Sequence, residues 1–555
     1  MKQFSRIRAA ATSIVTLLVL GGVLAACGSG TRSSEAAATD APSSATRSVG
    51  TALRIPPLLA PRVDAQGRKV FDLTLQTGSS TFLPGKSTQT WGVNGAYLGP
   101  TLRASRGDRV VIHVHNQLPA MTTLHWHGMH LPAVDDGGPH QMIQPGRTWS
   151  PSWTIDQPAT TLWYHPHPDG QTADQVYRGI AGLFILDDAS SDALPLPDRY
   201  GVNDIPLIIQ DRNFNSDGSL NLASTADGRL GNTILVNGTY KPHLNVGDER
   251  VRFRLLNGSD ARIYNIGFAD NRTFDLVGTD EGLLSHPVAL SRIQLAPGER
   301  AEIVATFHAG EHVVLRSFAP NLDIPNSIPV TGNGGGLQGG GGSPQGGGSQ
   351  GGGGPGGAGL QDSSFQGGHG GAGANGLAFE RTLNGGGQSF DLLQIRAATR
   401  LRPSPAVPPQ LATLPPLNVS AATRTRQFEL DHTNAINGQQ MDMNRIDFSV
   451  LAGSTEIWEV HGFLPHDFHV HGVSFRVIDI GGAPPPPQLQ GLKDTVYVPP
   501  FTTVRLLVQF GNYADPHHPY MYHCHMLQHE DAGMMGQFVV IHPGQQSQVG
   551  VAREQ

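Results

Sequence analysis

Cysteine is nearly absent: the chain has 555 residues and two cysteines, so at most one disulfide can form and a small cross-linked scaffold is excluded. Charge is sparse as well. Asp, Glu, Lys and Arg make up 15% of the chain, and 45 acidic against 38 basic residues leave no basic face to track a phosphate backbone, which argues against nucleic acid as a partner. Aromatics are few at 7%, and beyond the N-terminus no run of apolar residues is long enough to span a membrane as a helix. The surplus lies in histidine, with 24 residues, and glycine, with 70.

The N-terminus has the layout of a secretory signal: Lys2, Arg6 and Arg8 precede an apolar run from Ala9 to Leu24, then Leu24-Ala25-Ala26-Cys27. Those last four residues resemble a bacterial lipobox. Cleavage after residue 26 is expected, with diacylglyceryl on the Cys27 sulfur anchoring an exported protein to the outer face of the cell membrane. The Ser/Ala/Thr-rich stretch that follows, 27–59, is expected to be a flexible tether.

Helical periodicity is weak throughout the rest, whereas short alternating segments such as Arg109-Val110-Val111-Ile112-His113-Val114 recur between Gly, Pro and Asn. An all-β chain follows. One pattern occurs three times, each copy leading into an alternating strand: Val93-Asn94-Gly95 then Gly107-Asp108, Val236-Asn237-Gly238 then Gly247-Asp248, Ile436-Asn437-Gly438 then Gly453-Ser454. Three homologous β-sandwich domains are expected, at 60–190, 200–320 and 385–545. Between the second and third, 24 of the 45 residues in 332–376 are glycine, too few apolar groups to offset ordering entropy, so a disordered insertion is expected there.

Chance places about one His-x-His pair in a chain of this histidine content. Five occur: His113/His115, His125/His127, His165/His167, His469/His471 and His523/His525. Residues two apart on a strand share a face, so each pair aims two imidazoles at one spot. Tyr164-His165-Pro166-His167 mirrors Tyr522-His523-Cys524-His525, and His125-Trp126-His127-Gly128 mirrors His469-Val470-His471-Gly472. Matching halves from the first and third domains therefore converge, and eight imidazoles suit several copper ions. His113/His115 has no counterpart in the third domain and is assigned a structural role.

Cys524 lies between His523 and His525, so on an extended strand its sulfur faces away from both rings, as His466 faces away from His469. A second site behind the first is implied, completed by His529 and Met534. Two His, a thiolate and a Met are the donors of a blue-copper electron-transfer centre; zinc competes, but structural zinc usually takes more thiolates.

Four motifs, HWHG at His125, HPH at His165, HDFHVHG at His466 and HCHMLQHEDAGM at His523, together resemble three-domain bacterial multicopper oxidases, the branch of laccases and copper-efflux oxidases. The resemblance implies cupredoxin-like Greek-key sandwiches and four coppers. Type 1 copper would be held by His466, Cys524, His529 and Met534, type 2 by His125 and His469, and the type 3 pair by His127, His165, His167, His471, His523 and His525. Asp136 and Glu530 match acids that the family associates with proton delivery during oxygen reduction. Asp467 stands where the family usually has proline. The methionine-rich insert and Met/Asp pair of copper-efflux oxidases are also missing, with Gly462-Phe463-Leu464-Pro465 preceding His466. The implied activity is one-electron oxidation of phenols, aromatic amines or low-valent metal ions, coupled to reduction of dioxygen to water by a monomer. A catalytically silent cupredoxin scaffold and a copper nitrite reductase are the alternatives.

Overall fold

A computed structural model describes residues 50–322, 385 and 387–549. The signal segment, Cys27, the tether as far as residue 49 and the Gly-rich 332–376 lie outside the described residues. The described chain is almost entirely β-strand, arranged as three cupredoxin-like Greek-key sandwiches of two sheets each.

All three are built on the same parallel pair. Lys69–Ser80 runs beside Arg109–Asn116, Asp204–Arg212 beside Arg250–Asn257, and Thr425–Asp431 beside Thr455–Gly462. The repeated Asn-Gly explains why. Asn94, Asn237 and Asn437 each adopt a positive φ of 49–53°, a conformation asparagine tolerates. Each then bonds the first strand of its pair in the same way. The Asn94 amide donates to the Asp72 carbonyl (2.9 Å) and accepts from the Thr74 N–H (2.6 Å). Asn237 does so with Pro206 and Ile208 (both 2.8 Å), and Asn437 with Gln427 (3.0 Å) and Glu429 (2.7 Å).

Alternation along the strands fills the cores. On Lys69–Ser80, Phe71, Leu73 and Leu75 are buried while Asp72 is exposed, and the inward residues meet Leu102, Leu162 and Phe184 of the facing sheet. The third core packs Phe428, Trp458, Phe468, Val496 and Phe538 around Cys524 and Met534. Residue pairs that set the site then fall into matching registers. His125 lies opposite His165 in the first sandwich, and His469 opposite His523 in the third.

Two expected boundaries move. Phe390–Arg402, expected in the third domain (385–545), belongs to the second, antiparallel to His312–Phe318 and parallel to His243–Asp248. Its inward Leu392, Leu393 and Ile395 complete the second core. The Gly-rich segment therefore connects two neighbouring strands of one sheet instead of separating two domains. The tether, expected to run to 59, ends earlier: the Leu53 N–H bonds the His243 carbonyl (2.8 Å), and Leu53 is buried in the second core.

Candidate metal centre

The strand registers place eight imidazoles, those of His125, His127, His165, His167, His469, His471, His523 and His525, in one buried cluster between the first and third sandwiches. His471 Nε2 and His167 Nε2 lie 3.1 and 3.2 Å from His523 Nε2. His125 stacks on His471 (centroids 3.9 Å), and His127 on His469 (3.7 Å). Burial first, and neighbouring imidazoles second, push His165, His167, His471, His523 and His525 well below the ordinary histidine range. The rings are neutral at physiological pH, with lone pairs free to ligate.

Outer partners fix which nitrogen faces inward. His125 Nδ1 donates to the Asp136 carbonyl (2.9 Å), and His471 Nδ1 meets Asp136 Oδ2 (2.8 Å). His469 Nδ1 donates to the Asp494 carbonyl (2.9 Å), leaving the buried Nε2 atoms of His125 and His469 without a hydrogen-bond partner. Glu530 sits between two further rings, its oxygens 3.3 Å from His167 Nδ1 and His523 Nδ1. Burial, then the charge of Asp531, hold its carboxyl well above the ordinary range. His127 is reversed: its Nε2 is taken by Asp494 Oδ1 and Thr495 Oγ1 (both 3.1 Å), so Nδ1 faces the cluster, 3.4 Å from His165 Nε2. Such orienting contacts are what a metal site needs behind its ligands.

Behind this cluster, on the opposite face of the strand, lies the second donor set. His466 Nδ1 and His529 Nδ1 are 3.6 and 3.5 Å from Cys524 Sγ, and all three residues are buried together with Met534. The strand-parity argument thus holds in three dimensions. Burial pushes the Cys524 thiol up, and lowers His466 and His529, the latter to about 4. A soft thiol flanked by neutral imidazoles is a donor set that copper fits.

Asp467, the departure noted in the sequence, ties the two sets together. Its Oδ1 accepts the N–H groups of His525 (2.6 Å) and Met526 (2.9 Å) and lies 3.3 Å from Cys524 Sγ. Burial pushes its carboxyl up to about 8.

Sequence reasoning missed the contribution of the second sandwich. Arg300, fully buried, forms a two-pronged ion pair with Asp494 (2.5 and 2.8 Å), so a domain that supplies no histidine braces His127 through that carboxylate. Burial alone would raise Asp494, but Arg300 and His127 outweigh it and hold it well below the usual range. Arg300 opens a strand, Arg300–Thr306, that also carries Glu302, so nothing in the sequence singled it out. His113 and His115 lie elsewhere, paired with Ser150 Oγ (2.8 Å) and Thr148 Oγ1 (2.7 Å) on a half-buried strand.

Two family models, both described as multicopper oxidase, match residues 74–191 and 407–543. The chain is 33% identical to the multicopper oxidase mco of Staphylococcus epidermidis, over 87% of this chain and 91% of that one. It is 36% identical to the cell division protein FtsP of Sodalis glossinidius, over 88% and 92%. A solved laccase-like multi-copper oxidase from Ochrobactrum, with oxidase activity towards lignin model compounds, superposes with a TM-score of 0.73 at 32% identity, covering 88% of this chain and all of that one. The chain belongs to the multicopper oxidase family. That membership implies copper binding and supports an oxidoreductase.

Proposed function

We infer that the chain is a laccase-like oxidase with four coppers. His466, Cys524, His529 and Met534 hold type 1 copper, and His125 and His469 type 2. His127, His165, His167, His471, His523 and His525 hold the type 3 pair. The observation that carries this reading is the complete, buried convergence of both donor sets, joined by the triplet His523-Cys524-His525. When bound, copper supplies one-electron redox chemistry and the capacity to reduce dioxygen to water.

The protein groups do the rest. The triplet gives one continuous covalent route between the two sets, with Asp467 holding the main-chain N–H groups of His525 and Met526. Asp136 and Glu530 hold ring Nδ1 atoms outward and stand within the water-excluding core, where each can pass a proton toward the cluster. Small reductants, whether phenols, aromatic amines or low-valent metal ions, deliver one electron at a time at the His466 edge. The signal segment supports export, and Cys27 supports lipid anchoring of a monomer.

Copper-loaded protein is expected to be blue, to contain close to four coppers per chain and to consume oxygen with a phenolic donor. Cys524→Ser removes the colour and the turnover; a variant that kept both refutes the assignment. Relatives named for cell division favour a second reading, a scaffold without turnover. Oxygen uptake by the copper-loaded chain separates the two. A nitrite reductase would instead turn over nitrite without consuming oxygen.

A further inference from the structure

The geometry points to a binding platform for aromatic donors formed by Phe463 and Phe501, a site that names the substrate class of the proposed oxidase and rests on that reading. Among the described residues these are the only phenylalanines that stand exposed, at 50% and 66%, in a chain whose other large aromatics are buried or half-buried. They are also neighbours, with ring centroids 6.0 Å apart and planes at 72°. Scattered single apolar residues on a surface need no explanation; a pair of adjacent exposed aromatic rings beside a redox centre does.

Backbone geometry holds the pair open. Phe501 has φ 56°, a left-handed conformation that bulky residues rarely adopt, and it follows Pro499-Pro500 directly. Its N–H bonds the Gly462 carbonyl (2.8 Å), which clamps the Phe501 loop to the segment carrying Phe463. On the other side, His461 packs edge-on to Phe463 (5.3 Å) and is itself fixed by Glu429, whose two oxygens both lie 2.9 Å from Nδ1.

Gly462 connects this patch to the type 1 donor set. A Cβ at that position would come within 2.8 Å of His466 Cδ2, so the Cδ2 edge of the ring rests directly against the glycine backbone. The adjacent His466 Nε2 is buried without a hydrogen-bond partner, on the side of the ring opposite the nitrogen facing Cys524. Gly462 thus touches the outward edge of His466 on one side, while its carbonyl holds the Phe501 N–H and its chain neighbour is Phe463.

The occupant this surface fits is a neutral planar aromatic with a removable hydroxyl or amino proton. Two rings meeting edge to face offer stacking and edge contacts at 4.5–7 Å centroid spacing, which an aromatic donor satisfies and a hydrated metal ion does not. Each bound phenol loses one electron towards His466 and its hydroxyl proton to the water at the rim, leaving a phenoxyl radical. Four such events balance one dioxygen to two waters.

The test uses the full chain, copper-loaded and copper-free, with 2,6-dimethoxyphenol as probe and ferrous ion as the non-aromatic donor. Phe501→Gly relaxes the left-handed backbone and so removes the ring without stressing the fold; Phe463→Ala is its partner. The double variant is expected to bind the phenol at least tenfold more weakly in the copper-free state, measured by calorimetry. It is also expected to show at least a tenfold higher phenol KM when loaded, with the phenol-to-ferrous ratio of kcat/KM falling by the same factor. Phenol affinity and KM within twofold of the parent overturn the platform, as does an equal loss for phenol and ferrous ion. Absence of oxygen uptake by the loaded parent with either donor would defeat the oxidase reading alone, since phenol binding to the copper-free chain still decides the platform.

Discussion

Replacing Asp467 by alanine tests how the two donor sets are held in register. The carboxyl is fully buried, and with burial pushing it up to about 8 it is mainly protonated at pH 7. Its Oδ1 is the acceptor for the N–H groups of His525 and Met526. Alanine leaves both without that acceptor in a water-excluding core. Each stranded N–H costs about 1–3 kcal/mol, so the local loss is about 2–6 kcal/mol. Asparagine keeps an oxygen in the same place and is expected to lose about 1 kcal/mol or less. The measurement is amide hydrogen exchange at His525 and Met526 in copper-free protein, which reports the free energy of local opening. Protection should drop by about two to three orders of magnitude in Asp467→Ala and stay within tenfold in Asp467→Asn. Equal protection in both variants would refute the reasoning, because asparagine keeps the acceptor oxygen that alanine removes.

Glu302 offers a pH test of the contact between the first and second sandwiches. Burial alone would raise it, but Arg252 and Arg254 outweigh burial and hold it at about 2, while it also accepts from Thr161 of the first sandwich. A depressed carboxylate contributes stability that is present above the unfolded value of about 4.3 and is lost as pH falls through 2, worth about 3 kcal/mol. Denaturant midpoints from pH 5 to 2 should fall less steeply in Glu302→Gln than in the parent, and parallel curves would exclude the assignment. Arg300→Met strands the buried Asp494 carboxylate beside His127, with an expected cost of about 3–5 kcal/mol. Adding Asp494→Asn should recover part of it; a double variant no more stable than Arg300→Met would show that the ion pair is not what braces the ring.

The sandwiches and the histidine sets were legible because both obey a period of two. That period places Phe71, Leu73 and Leu75 in the core and equally separates Cys524 from His523 and His525. The threefold Asn-Gly pattern was legible as a repeat, though its reason, an asparagine stapling the first strand of each parallel pair, needs coordinates. Phe390–Arg402 was misassigned because its strand partner, His312–Phe318, lies on the far side of the Gly-rich segment while the third domain is its neighbour in sequence. Asp494 and Arg300 left no trace. Single charges 194 positions apart carry no period, and only folding brings them within reach of one another. Asp467 shows the intermediate case: its departure from the family pattern was visible, its two N–H partners were not.

The contribution of the second sandwich goes beyond electrostatics. Gly298, just before Arg300, has φ 81°, and a Cβ there would lie 3.0–3.1 Å from three ring atoms of His525. The left-handed backbone and the ring both demand glycine at that point. Gly298→Ala adds strain of about 1 kcal/mol from the backbone and presses on the imidazole of a residue whose main-chain N–H Asp467 already holds, so the ring must tilt away from the cluster. The Cys524 set lies on the opposite face of the strand and does not share that contact. The expected result is a loss of copper from the histidine cluster with the blue absorption of the Cys524 centre retained. A variant that loses both together would mean that the second sandwich supports the whole third domain; one that loses neither would mean that His525 has slack that the packing does not show.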